Sequence, residues 1–129
     1  MASLHKTIRI HASADKIWDA VRDIGALHTR LVPGFVVDTQ LEPGARLVTF
    51  ANGMRIREPI ITLDEARKRL VWGAEGAATT HYNAVLQVVA DGDHTTVHWT
   101  SDFLPDAAEP SISAMQDQGL DAMKRAFER

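Results

Sequence analysis

Glu58 is the residue in this sequence best placed to do chemistry. It stands in the run Arg55-Ile56-Arg57-Glu58-Pro59-Ile60, and in an extended chain alternate residues share a face, so its carboxyl group falls between Ile56 and Ile60. A carboxylate among apolar neighbours must be paired, protonated or wetted by a cavity. Such a group can serve as a general acid or base, and Arg46 or Tyr82 could then stabilise an enolate. The competing reading, which we favour, is an ion pair between Glu58 and Arg46 at the rim of a cavity. Tyr82 could donate to a ligand carbonyl or could be a core tyrosine satisfied by backbone. His28 could meet a ligand or act as a base, although a lone histidine is more often simply solvated.

Other chemistries find little support. Ser13-Ala14-Asp15-Lys16 formally matches the S-x-x-K pattern of serine acyl enzymes, but the partner motifs are missing and a helix cap accounts for Ser13. His81 and His98 fall on an outer strand face and His94 in a turn, and no cysteine or carboxylate triad stands at metal spacing, so no metal set is expected. The dinucleotide fingerprint, the P-loop, the G-x-S-x-G elbow and H-E-x-x-H do not occur, so no cofactor is expected.

The 129 residues are enough for one domain, and 45% apolar with 24% charged residues is ordinary globular composition. A net charge of -3, with no basic block, argues against nucleic acid or an anionic membrane as partner. With no cysteine, no apolar run long enough to span a bilayer, and no long apolar core in residues 1–11, the expectation is a soluble cytoplasmic protein, monomer or homodimer.

Turn signals divide the chain into the elements that must position these side chains. A strand is expected over Leu4 to His11, followed by a helix capped by Ser13, carrying Ile17, Val21 and Ile24 on one face and ended by Gly25. A second short helix carries Leu27, His28 and Leu31 before Pro33-Gly34. From Phe35 to Leu104 six strands follow as a meander, separated by Pro43-Gly44, Asn52-Gly53, Asp64 to Lys68, Glu75 to Ala78 and Asp91 to His94. The last element, a long helix from near Pro110, presents Ile112, Met115, Gly119, Met123 and Phe127 on one face.

Residues opposite each other in an antiparallel pair share a face, which fixes the registers. A three-residue loop, Ala51 to Gly53, sets Phe50 opposite Met54, Val48 opposite Ile56 and Arg46 opposite Glu58, whereas a two-residue loop would set Phe50 beside Arg55. We therefore expect the three-residue loop. A two-residue loop at Gly92-Asp93 pairs Val88 with Val97, Leu86 with Trp99, Ala84 with Ser101 and Tyr82 with Phe103.

A helix of about 20 residues is only ~30 Å long and ~10 Å wide. Seven strands at ~4.8 Å spacing span roughly three times that width, so the sheet must wrap around the helix. The fold class expected is thus α+β, a helix-grip arrangement of a curved seven-stranded antiparallel sheet over a C-terminal helix, with a cavity between them. From the strands, Arg46, Val48, Phe50, Met54, Ile56 and Glu58 would line it, together with Trp72, Tyr82, Ala84, Trp99 and Ser101. The helix would add Met115, Gly119 and Met123. Small residues leave space and methionines adapt to an apolar guest.

The chain resembles the START-like superfamily, also called the SRPBCC or Bet v 1-like fold, and within it the polyketide cyclase/dehydrase type of small bacterial protein. Ile17-Trp18, Val21-Arg22-Asp23, Gly44-Ala45-Arg46, Gly53, Arg57-Glu58, Leu63-Asp64, Val97-His98-Trp99 and Gly119 to Lys124 carry the resemblance, along with Tyr82, Ala84 and Leu86. Abscisic acid receptors resemble it more distantly, and their gate loop corresponds to a shortened segment at Ala51 to Ile56. The resemblance implies binding of a lipid, polyketide-like or other apolar metabolite. The alternative it implies is a cyclase, dehydratase or hydrolase in the same cavity, with Glu58 or His28 moving a proton and no metal or nucleotide cofactor. A protein-interaction role would need an apolar patch on the outer strand faces, where none is expected.

Overall fold

The computed structural model describes residues 1–76 and 78–128. Strand β1 (Ala2–Ile10) is followed by helix α1 (Ala14–Arg22), a 3₁₀ turn (Ile24–Ala26) and a single π-type turn (Leu27–Leu31). Six strands come next: β2 (Val36–Glu42), β3 (Ala45–Phe50), β4 (Arg55–Asp64), β5 (Arg69–Gly73), β6 (His81–Asp91) and β7 (His94–Leu104). Helix α2 (Glu109–Phe127) closes the chain. The sheet order is β1-β7-β6-β5-β4-β3-β2 with antiparallel neighbours throughout, which is the expected helix-grip topology.

Both hairpin registers agree with the like-to-like pairing of side chains. Val48 lies opposite Ile56 and Arg46 opposite Glu58. The Phe50 amide donates to Met54 O at 2.8 Å across the three-residue loop, where Gly53 takes the left-handed φ of +90°. At the other hairpin Tyr82, Ala84, Leu86 and Val88 face Phe103, Ser101, Trp99 and Val97.

Several local expectations are corrected. The first helix ends at Arg22, because Asp23 leaves helical geometry (φ -81°, ψ 72°) and its carboxylate accepts from Arg30 Nη1 at 3.0 Å. Ile24 and Gly25 therefore belong to the 3₁₀ turn. There Gly25 allows a close approach, since a Cβ would stand 2.9 Å from Leu41 Cγ. The turn expected over Glu75 to Ala78 includes Ala77 and so lies partly outside the described residues. The outer sheet surface does carry exposed apolar side chains: Val37, Ile61, Val89 and Leu104. Two of them, Val37 and Ile61, are the extra residues where the register slips between Val36 and Asp38 and between Ile60 and Thr62. A bulge breaks the strict alternation on which the expectation of a polar outer face rested.

Helix α2 is fastened to β7 through a contact that the apolar pattern hides. Gln116 is fully buried; its Oε1 accepts from Ser101 Oγ at 2.6 Å and its Nε2 donates to Trp99 O at 3.3 Å. One turn on, Gly119 faces the Trp99 indole, and an added Cβ would meet Trp99 Cζ3 at 2.7 Å and Phe35 Cε2 at 3.2 Å. The missing side chain is thus a seat for the ring. Gly119→Ala gains about 1 kcal/mol of helix propensity, but overpacking of this kind costs ~1–3 kcal/mol. A net loss of stability of ~1 kcal/mol is expected in urea unfolding; a more stable variant would show that the indole yields freely.

Among the described residues no helix is long and apolar enough to cross a membrane.

Candidate functional site

The curved sheet, α2 and the segment from Leu27 to Val36 enclose a cavity of about 410 Å³. That is within the range of small-molecule sites, ~300–1,000 Å³. Phe50, Ile56, Leu70, Trp72, Leu86 and Trp99 supply apolar wall from the sheet, and Ile112, Met115 and Met123 from the helix. Met54, 39% exposed, borders the cavity beyond the β3–β4 turn. The two indoles face each other with centroids 6.0 Å apart.

A polar group sits within this apolar wall. Arg46 Nε donates to Glu58 Oε1 at 2.8 Å, with the two side chains only 4% and 10% exposed. The guanidinium also lies 5.8 Å from the centroid of the Trp72 ring, a cation–π distance. Its Nη1 reaches Ile24 O at 3.4 Å. Burial pushes the Glu58 carboxyl above the usual carboxylate range, and the charge and hydrogen bond of Arg46 oppose this only in part. Glu58 thus holds a proton more readily than an exposed glutamate. Burial, and next the charge of Glu58, also drive the Tyr82 phenol well above its ordinary value, so Tyr82 stays neutral as a donor.

Trp99 Nε1 and Thr79 Oγ1 make no close hydrogen bond among the described residues, the indole N–H acting only weakly as a donor toward the Tyr82 hydroxyl. Both are buried and both residues line the cavity. A buried donor left unmade costs ~1–3 kcal/mol, so its persistence beside a cavity is compatible with a partner that arrives as a ligand.

The cavity matches the sequence expectation in part. Arg46, Phe50, Met54, Ile56, Glu58, Trp72, Tyr82, Trp99, Met115 and Met123 line it. Val48, Ala84, Ser101 and Gly119 do not. Val48 and Ala84 are on the inner face but fully covered by packed side chains, Ser101 is engaged by Gln116, and the space over Gly119 is filled by Trp99. His28 is not in the wall either, because the π-type turn directs its Nδ1 to Thr39 Oγ1 at 3.1 Å. Sequence reasoning missed Phe35, Thr79 and the stretch around Pro105 to Ala108, which lie in loops and a short 3₁₀ turn where neither period applies. It also missed that His11, Asp93 and His94 meet on the surface.

The sequence model of the family described as "polyketide cyclase / dehydrase and lipid transport" matches residues 1–128. The chain belongs to that family. No curated protein matches the sequence. Among solved structures, a Thermobifida fusca protein studied in solution superposes with a TM-score of 0.80 at 29% identity, over 98% of this chain and 93% of that one. Norcoclaurine synthase from Thalictrum flavum, in complex with dopamine and hydroxybenzaldehyde, gives 0.74 at 21% identity, over 98% and 83%. The di-domain ARO/CYC protein BexL of the BE-7585A biosynthetic pathway gives 0.85 at 17% identity, over 99% of this chain and 47% of BexL. At these identities the last two share the fold with the family member described here, which is the SRPBCC, Bet v 1-like helix-grip.

Proposed function

We propose that this chain is a single ligand-binding domain whose cavity takes a small apolar molecule bearing at least one oxygen acceptor. The observation that carries this reading is the apolar cavity of about 410 Å³, beside which the Trp99 N–H and the Thr79 hydroxyl make no close hydrogen bond among the described residues. Apolar walls give affinity and the few polar groups give orientation. The dopamine and hydroxybenzaldehyde held by norcoclaurine synthase, compact aromatic molecules with oxygen substituents, support the same class.

The test compares two fluorescent probes of equal size, a polycyclic aromatic ketone and its parent hydrocarbon. Both are expected to bind with micromolar Kd. Trp99→Phe removes the donor, and is expected to weaken the ketone by ~5–10-fold more than the hydrocarbon, the worth of one hydrogen bond. Equal losses for both probes would remove the oxygen acceptor from the proposal, and no binding of either would remove the cavity. Native mass spectrometry of the purified protein then identifies any molecule already held.

A second reading, an enzyme of cyclase, dehydratase or hydrolase type, is favoured by one observation. A carboxyl with heightened proton affinity lines the same cavity as a neutral phenol. In that reading Glu58 transfers the proton while Tyr82 or Arg46 holds the developing oxyanion. His28, hydrogen-bonded to Thr39 outside the wall, has no part in it.

A further inference from the structure

Away from the cavity, where β1 gives way to α1, the chain brings two imidazoles and a carboxylate together. His11 follows the last residue of β1, and Asp93 and His94 close the β6–β7 hairpin; one donor atom from each lies within 4.8 Å of the other two. His94 Nδ1 stands 2.7 Å from Asp93 Oδ1. The rings of His11 and His94 meet edge to face at 4.8 Å. None of the three residues lines the apolar cavity.

The backbone under this cluster is well held. Gly92, with φ +65°, is the first central residue of the two-residue hairpin turn, the position at which a II′ turn calls for glycine. β1 pairs with β7 up to Ile10 opposite Thr95, and the buried Thr95 hydroxyl donates to Ala12 O at 2.7 Å, pinning the bend that carries His11. The His11 amide donates to Glu128 Oε2 at 2.7 Å, at the C-terminal end of α2. That end carries the negative pole of the helix dipole and favours a cation nearby.

Nearby cations are already engaged elsewhere. Lys68 is 3.3 Å from Asp15, Arg9 is 3.3 Å from Asp91, and Lys124 is 2.9 Å from Glu128. Asp93 is left facing imidazoles.

We infer that His11, Asp93 and His94 form a surface site for a divalent transition ion of the zinc class. Two imidazole nitrogens and a carboxylate oxygen are a donor set suited to Zn²⁺, Ni²⁺ or Cu²⁺ and not to Ca²⁺ or Mg²⁺. At zinc–ligand distances of ~2.0–2.2 Å, tetrahedral donors stand about 3.3–3.5 Å apart. Rotation of the exposed His11 and Asp93 side chains toward the half-buried His94 therefore brings the donors into range. Three protein ligands leave a fourth position for water. Because the ligands come from opposite ends of the sequence, the bound ion ties the end of β1 to the β6–β7 hairpin and stabilises the fold by mass action.

The experiment titrates metal-free protein with ZnCl₂ in a calorimeter and follows thermal unfolding, with CaCl₂ as the control. One Zn²⁺ per chain with micromolar Kd is expected. At about 100 times Kd the unfolding midpoint should rise by roughly 10 °C. His11→Ala and His94→Ala should each weaken binding at least 10-fold and remove most of the rise, and Asp93→Asn should weaken it less. His5 and His98, whose ring nitrogens are 3.1 Å apart, form the rival surface pair, and His5→Ala with His98→Ala should leave the titration unchanged. Failure to bind Zn²⁺ at 100 µM would overturn the inference. So would binding that survives loss of both His11 and His94, or that vanishes with His5 and His98. All these side chains are on the surface, so a folded variant is expected in each case, and unchanged affinity for an apolar probe verifies it.

Discussion

Replacing Arg46 with Met is expected to destabilise the protein by ~3–5 kcal/mol, the cost of leaving one member of a buried ion pair without the other. Glu58→Gln should cost much less at neutral pH, since burial already favours an uncharged side chain at this position and the amide oxygen can still accept from Arg46 Nε. Removing both charges together, as in Arg46→Met with Glu58→Leu, should bring stability back near that of the parent, because burying two ions costs about as much as their attraction returns. Urea unfolding of the parent, the two single variants and the Arg46→Met, Glu58→Gln double variant yields the coupling energy, expected to exceed ~1 kcal/mol. A coupling of zero would reject the structural pair and leave Glu58 free for catalysis.

The pH dependence adds an independent check. The folded-state affinity of Glu58 for a proton is raised above that of the unfolded chain. The stability contributed by protonation is therefore fully present below the ordinary glutamate value of about 4.3 and is lost as pH rises through the higher folded value. Titrated from neutral pH down to that ordinary value, the stability difference between parent and Glu58→Gln should move in favour of the parent. A difference that shrinks on acidification would mean that Arg46 outweighs burial.

Much of this fold is legible because turns and strand parity constrain one another. Only the three-residue loop before Met54 puts Val48 beside Ile56 and Arg46 beside Glu58, and that single choice places the pair on the inner face. Parity assigns a face, however, and says nothing of depth along it. Val48 and Ala84 point inward as expected, yet neighbouring side chains cover them completely. Parity also fails at bulges, where Val37 and Ile61 turn to solvent. Gln116 is hidden for another reason: an amide in a helix reads as a solvated position until its partners, Ser101 and Trp99 O, are known. The His11, Asp93 and His94 cluster depends on β1 pairing with β7 across most of the chain, which no local pattern announces. Sequence resemblance supplied the family and the architecture; the reacting or binding atoms had to come from the packing.

Two small alanines on the inner side of the sheet should respond in opposite ways to the same enlargement, and the contrast isolates the cavity as the binding site. Ala74 is partly exposed and lines the cavity, while Ala84 is fully buried and does not. In Ala74→Trp the indole has space to enter, so the expected outcome is a folded protein with stability within ~1 kcal/mol of the parent, as for surface-accessible substitutions that strain nothing. Binding of the apolar probe should fall at least 100-fold, because the ring occupies volume that the ligand needs and adds a steric cost of ~3 kcal/mol or more to its entry. Ala84→Trp has no such space. Ala84 sits opposite Trp72 on one side and Ser101 on the other, so the new ring must displace β5 or β7, with a loss of stability at or above the ~1–3 kcal/mol typical of overpacking. Fluorescence titration and urea unfolding of both variants separate the two effects. Full probe affinity in a folded Ala74→Trp would place the binding site outside the cavity, whereas lost affinity at unchanged stability assigns the function to the space between Trp72, Trp99 and Met115.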